Sequence, residues 1–140
     1  MTNRNRIIFA VSVFIIFSFC IEGWVADWKP IAKDSKGSVW EIDTASISLQ
    51  PDDIVKIWLK KHYTKKELGD WVSNFGQKVN NLSYALSLEE NHCKEKQKRV
   101  LSLTLYSLDG DVISSITSPG EWMFIAPDSL ASDILEQICK

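Results

Sequence analysis

Residues 99–116 read RVLSLTLYSLDGDVISSI. Leu101, Leu103 and Leu105 alternate with Ser102, Thr104 and Tyr106. A period of two marks a strand with one buried face, because successive side chains point to opposite sides of a sheet. Asp109-Gly110 is the pair favoured in a two-residue hairpin, where both central positions need positive φ. Val112–Ile116 then returns. With that turn, Leu103 falls opposite Ile116 and Tyr106 opposite Ile113. The stretch implies an antiparallel sheet.

Upstream, Ser83–Cys93 reads as a strand. So does Ile54–Tyr63 (IVKIWLKKHY), with Val55, Ile57 and Leu59 on one face and Ile54, Lys56, Trp58 and Lys60 on the other. Trp28–Lys33 is a first short strand, which Pro30 confines to an edge or a strand start. Asp34-Ser35-Lys36-Gly37 turns it back into Ser38–Ile42, and Pro51-Asp52-Asp53 makes another turn. Between 64 and 81, Leu68, Trp71, Val72, Phe75 and Val79 recur at helical spacing. Gly69 and Gly76 weaken the helix, so the segment reads as a short helix or an irregular excursion.

Downstream, Pro119-Gly120 breaks the sheet before the short apolar segment Trp122–Ile125. Asp128 or Ser129 then caps a helix by accepting from its free N–H groups. Leu130, Ile134, Leu135 and Ile138 form the apolar stripe of that helix, and Cys139 stands at its end. The expected fold is α+β and mainly β: an antiparallel sheet of about six strands with a C-terminal α-helix packed on it. Trp40, Trp58 and Trp122 are assigned to the core, and Trp71 with Phe75 is a candidate exposed aromatic patch.

The N-terminus decides the compartment. Arg4 and Arg6 precede an uncharged run, Ile7–Ile21, of fifteen residues. A membrane-spanning helix needs about 20 apolar residues. A shorter run after a basic start has the form of a secretory leader. The expected organisation is a signal peptide over 1–26, cut between 20 and 26, followed by one domain over 27–140. No permanent membrane span is expected after cleavage. Cys20 follows Ser18-Phe19, and bulky Phe19 makes a poor lipid-attachment box.

Three cysteines are present. If export removes Cys20, Cys93 and Cys139 remain, and an even pair in an oxidising compartment reads as a disulfide. That pairing gives Cys93 a purpose within the charged stretch SLEENHCKEK (87–96). A metal site is a weak alternative, since His92 and Cys93 are adjacent and no second cluster supplies further ligands. No cofactor is expected.

The whole chain carries a net charge of −2, and losing Arg4 and Arg6 makes it more acidic. That balance gives no reason to expect a nucleic-acid partner. Nor is an enzyme expected. There is no Gly-x-Ser-x-Gly elbow, no phosphate-binding glycine loop, and no free thiol once Cys93 is paired. The carboxylate pairs Asp52-Asp53 and Glu89-Glu90 are adjacent, and adjacent strand residues point apart. Binding is the better class. Lys60, Lys61, Lys65 and Lys66 surround Tyr63, and Lys96 and Arg99 follow Cys93. These residues, with Trp71, are the candidate contacts for a protein or envelope partner with an acidic surface.

The chain resembles the surface-adhesin protein E-like family of exported bacterial proteins. The likeness runs from Trp28 to Cys139. It is carried by Trp28, Trp40-Glu41-Ile42-Asp43, Trp58, Cys93 before Lys96 and Arg99, Tyr106-Ser107-Leu108-Asp109-Gly110, Trp122, Pro127-Asp128-Ser129 and Cys139. The resemblance implies an antiparallel sheet with a C-terminal helix and joined cysteines, but no particular adhesive residues. The expected function is that of an exported, non-catalytic binding protein of the periplasm or cell surface. Its rivals are a structural envelope protein and a small exported hydrolase.

Overall fold

The computed structural model describes residues 25–140. Residues 1–24, which hold Cys20 and all but the end of the expected leader, lie outside the described residues. The strands are β1 (Trp28–Lys33), β2 (Val39–Asp43), β3 (Ser48–Gln50), β4 (Ile54–His62), β5 (Leu82–His92), β6 (Gln97–Ser107), β7 (Val112–Ile116) and β8 (Met123–Phe124). Two helices interrupt them, α1 (Lys65–Phe75) and α2 (Leu130–Ile138). Neither is long and apolar enough to cross a membrane.

Six strands form an antiparallel sheet in the order β1-β2-β4-β5-β6-β7. Two short strands extend it. β3 pairs with Ile54–Lys56 of β4, beyond the end of β2, and β8 pairs with the first two residues of β6. Pro30 sits on the edge strand β1, beside an irregularity between Pro30 and Ala32, where its missing N–H interrupts no central ladder. β3 and β8 are the strands that the sequence pattern did not announce; Trp122–Ile125 reads there only as a short apolar segment beyond the sheet.

The hairpin forms where expected, but with a different turn. Gly110 N–H donates to Ser107 O at 3.1 Å, and Ser107 N–H donates to Asp111 O at 2.9 Å. The loop is therefore three residues, Leu108–Gly110. Gly110 has φ 86°, and Asp109 is not among the positive-φ residues. This is the type I turn closed by a left-handed glycine, not the two-residue form. Leu103 does face Ile116, but Tyr106 pairs with Val112 rather than Ile113, because the register slips between Leu105 and Tyr106. Valine at Gly110 should cost at least about 1 kcal/mol, since a β-branched residue resists the left-handed conformation. An unchanged denaturant midpoint would place the conformational demand elsewhere.

The excursion over 64–81 is ordered. Thr64 caps α1 by accepting from Glu67 N–H, and Gly76, at φ 77°, ends the helix. Gly76 is a terminator rather than an interruption. A 3₁₀ turn, Gln77–Val79, leads into β5.

Both helices pack on the same sheet face. Ile134 and Ile138 of α2 join Val55, Ile57 and Leu59 of β4 in one buried cluster, with Trp40 and Ile42 beside it. Leu68, Trp71 and Val72 of α1 cover a second cluster of Val79, Leu82, Ala85 and Leu105. Ala85 pairs with Lys61, which shares the face of Leu59. Ser129 caps α2 by accepting from Ser132 N–H. At the other end of α2, Cys139 is bonded to Cys93, with the Cα atoms 5.7 Å apart. The bond ties the chain end to the end of β5, as the cysteine count led us to expect.

Trp58 and Trp122 do not fill this core. Trp58 lies between Ile57 and Leu59, so the period of two turns it to the opposite face. Trp122 is half-buried outside the sheet, with the Arg99 guanidinium 4.7 Å from its ring centre. Apolar character favoured burial for both; strand register overrode it for Trp58, and Trp122 instead packs against Arg99 outside the sheet.

Candidate interaction surface

The eight candidate binding residues do not form one site. Lys60 and Lys61 are neighbours on β4 and therefore point to opposite faces. Lys61 is enclosed on the helix-bearing side. Its ammonium lies 2.5 Å from Glu67 Oε1 and 3.4 Å from Asp34 Oδ2, with 14% of the side chain exposed. Glu67 is itself buried in the first turn of α1 and also accepts from the buried Ser38 hydroxyl. Lys61 thus anchors α1 to the sheet and is not presented to a partner.

Tyr63 meets Trp71 edge-on at 5.5 Å, and Trp71 lies 5.0 Å from Phe75. Trp71 covers the second core cluster, while Phe75 is 63% exposed. Burial, then the nearby Glu67 charge, pushes the Tyr63 hydroxyl up to about 12. Its neutral form is favoured by the fold. The associated stability is present below about pH 10, the ordinary tyrosine value, and is lost as pH rises through about 12. Ultraviolet phenolate titration should find one tyrosine ionising near 12, and the Tyr63→Phe variant should lack that step. A titration unchanged in that variant would contradict this placement.

Lys65 and Lys66 are exposed in the first turn of α1, and Lys96 is exposed in the β5–β6 turn with φ 50°. Arg99 lies across the sheet from Lys61, on the other face. It holds Glu90 Oε2 through Nε at 2.7 Å and Nη2 at 2.6 Å. Glu89 and Glu90 do point apart, as their adjacency requires: Glu89 faces Lys98 and Glu90 faces Arg99.

The face opposite the helices carries a surface that composition alone does not announce. Trp58 pairs with Leu88, Lys60 with Leu86, and His62 with Tyr84. Tyr84 in turn pairs with Tyr106. Directly paired residues share a face, so these side chains stand together with Trp28 of β1. The Tyr84 and Tyr106 rings are stacked, 4.7 Å apart and 9° from parallel. Lys60 Nζ lies 4.1 Å from the Trp28 ring centre, and its charge is offset by Glu41 at 3.9 Å. The same Glu41 oxygen is 2.8 Å from His62 Nε2. All of these side chains are half-buried, and neither α-helix covers them; the 3₁₀ turn Thr44–Ser46 brings Ala45 beside Trp58.

A groove of about 250 Å³ runs between Trp28, Trp58 and Leu86, walled on its far side by Val25 and Ala26. The start of the described chain is fixed there by hydrogen bonds. Asp27 N–H donates to Asp43 Oδ1 at 2.8 Å, and Thr44 N–H donates to Asp27 O at 3.0 Å. The signal for this surface was present in the sequence as alternation. The residues between Val55, Ile57 and Leu59, and between Leu101, Leu103 and Leu105, are aromatic or long-chained as often as they are small.

Aromatic side chains with nearby charges offer large contact area at low entropic cost. The arrangement suits recognition of another surface. It contains no nucleophile held by a base.

A sequence profile of the surface-adhesin protein E family matches residues 28–140. No curated protein matches the chain. Its fold is similar to solved structures of protein E from Haemophilus influenzae. The selenomethionine form is 13% identical, covers 82% of this chain and 90% of its own, and has a TM-score of 0.55. A second structure of that protein is 13% identical, with 80% and 83% covered and a TM-score of 0.53. The protein E of non-typeable Haemophilus influenzae is 11% identical, with 84% and 78% covered and a TM-score of 0.50.

Proposed function

The chain belongs to the surface-adhesin protein E family, and from that premise we propose that it is an exported, non-catalytic adhesin of a bacterial cell envelope. The family is one of surface adhesins and not of enzymes. The observation that carries the reading is the sheet face, free of α-helices, with Trp28, Trp58, Tyr84 and Tyr106. A sheet whose two helices both pack on one side leaves a broad aromatic strip for a partner. The partner is an extracellular or envelope protein. Lys60, 4.1 Å from the Trp28 ring centre, supplies charge within the strip, and Lys65, Lys66 and Lys96 lie away from it.

Alanine at Trp58 and Tyr106 together should reduce adhesion of cells carrying the protein by at least about tenfold, the scale of one or two lost hot-spot residues. Circular dichroism of the purified variant should still report a folded sheet. Undiminished adhesion would remove the face from the function. If deleting the whole chain leaves adhesion intact but weakens the envelope, the protein is structural instead.

Export requires loss of the leader. Intact-mass analysis of the protein from its native compartment should give a chain starting between Ile21 and Asp27. A retained Met1 would defeat this, and a lipid on Cys20 would make the protein a lipoprotein.

A further inference from the structure

On the helix-bearing side of the sheet, a cavity of about 260 Å³ lies beneath the first turn of α2. Leu59 and Ile134 supply apolar wall, and Trp40, Glu89, Asn91 and Lys98 supply polar groups. Two of those groups are unpaired. Trp40 Nε1 and Asn91 Nδ2 are both buried with no hydrogen-bond partner, and Asn91 is only 2% exposed. Burying a donor without a partner is costly, so an orphan in a native fold calls for an occupant.

The chemistry of the occupant follows from the groups that lack partners. An indole N–H can only donate, and so can the amide nitrogen of asparagine. Lys98 spends one bond on Glu89, at 3.2 Å, and its side chain is 26% exposed, so it reaches the mouth of the cavity. The first N–H groups of α2 have no partner within the helix, and a helix N-terminus favours negative charge. The two fully buried atoms left without a partner, Trp40 Nε1 and Asn91 Nδ2, are thus both donors. Glu89 is already satisfied by Lys98 and by the Ser87 hydroxyl at 3.1 Å. Lys98 offsets the Glu89 charge, so the lining is close to neutral and holds no second cation for a dicarboxylate.

We propose that this cavity binds a small organic monocarboxylate with a short apolar tail. The carboxylate accepts from Trp40 and Asn91 and faces Lys98, while the tail lies against Leu59 and Ile134. This site is on the opposite side of the sheet from the aromatic strip and does not depend on the adhesin reading.

The test is a nitrogen-15 NMR titration of the protein as the cell produces it, with hexanoate, hexan-1-ol and adipate. Hexanoate should shift the Trp40 indole resonance, identified by its absence in Trp40→Phe, and saturate with a Kd on the order of millimolar, modest as befits so few ligand atoms. Hexanol and adipate should each bind at least tenfold more weakly. Asn91→Leu should weaken hexanoate by a similar factor. No saturable shift would overturn the proposal and leave ordered water as the occupant. Hexanol binding as tightly as hexanoate would overturn it too, leaving an apolar hole. The comparison of the three probes needs no variant, so a variant that fails to fold does not rescue the idea.

Discussion

Serine in place of Cys93 or of Cys139 lowers stability by about 4 kcal/mol, and serine at both costs little more than serine at one. The size follows from the 46-residue separation of the pair. Opening a loop of that length returns roughly 4 kcal/mol of chain entropy to the unfolded state. Against a total stability of about 5–15 kcal/mol for a domain, the loss is severe. Helix α2 has nine residues, too few to persist without packing or a tether. Both single variants break the same bond, so they should share one urea midpoint. If the double variant loses twice what either single one loses, the two cysteines stabilise the fold separately and the cross-link account fails. Non-reducing peptide mapping gives the direct check, as one fragment joining Cys93 and Cys139.

The second large effect lies where α1 meets the sheet. Leucine at Glu67 should cost about 3 kcal/mol, the scale for breaking a buried ion pair from one side. Glu67 is 6% exposed and Ser38 is 0% exposed, so losing the carboxylate leaves Lys61 with Asp34 alone, at 3.4 Å, and takes away the acceptor of the serine hydroxyl. The cost arises from the partners left behind rather than from the pair itself. Lys61→Met combined with Glu67→Leu should therefore recover part of the loss, because the buried ammonium goes with its main partner and Asp34 still accepts from the Lys36 and Ser38 N–H groups. A Glu67→Leu midpoint within error of the parent would show that water reaches Lys61 and that the network holds nothing in place.

Legibility followed the range of the interactions. The Leu103–Leu105 alternation, a hairpin at Asp109-Gly110 and the stripe of α2 are encoded within one or two turns of chain, and all three formed, although the hairpin loop has three residues rather than two and the ladder slips at Leu101. The pairing of Cys93 with Cys139 needed only a compartment and a count. What failed was long-range. The extra residue in β7 at Ile113 and the short pairing of β3 depend on how strands meet, and no local pattern states that. Trp58 shows the limit best. Its bulk argued for the core, but Ile57 and Leu59 on either side had already claimed the covered face. The aromatic strip was missed for the same reason. Trp28, Trp58, Tyr84 and Tyr106 are far apart in the chain, and only register brings them together. The candidate lysines were chosen by proximity in sequence, which on a strand sends Lys60 and Lys61 to opposite sides.

The bond between Cys93 and Cys139 also bears on what happens when the molecule is pulled. Load entering at the start of β1 and leaving at Lys140 passes through Cys93 directly to Cys139. The segment between them, which includes β6, β7, β8 and α2, carries none of it. Only Trp28–Cys93 can be drawn out, a length of about 230 Å at roughly 3.5 Å per residue. The loop closed by the bond stays unextended while the rest is stretched, so a tether made of this chain has a built-in stop.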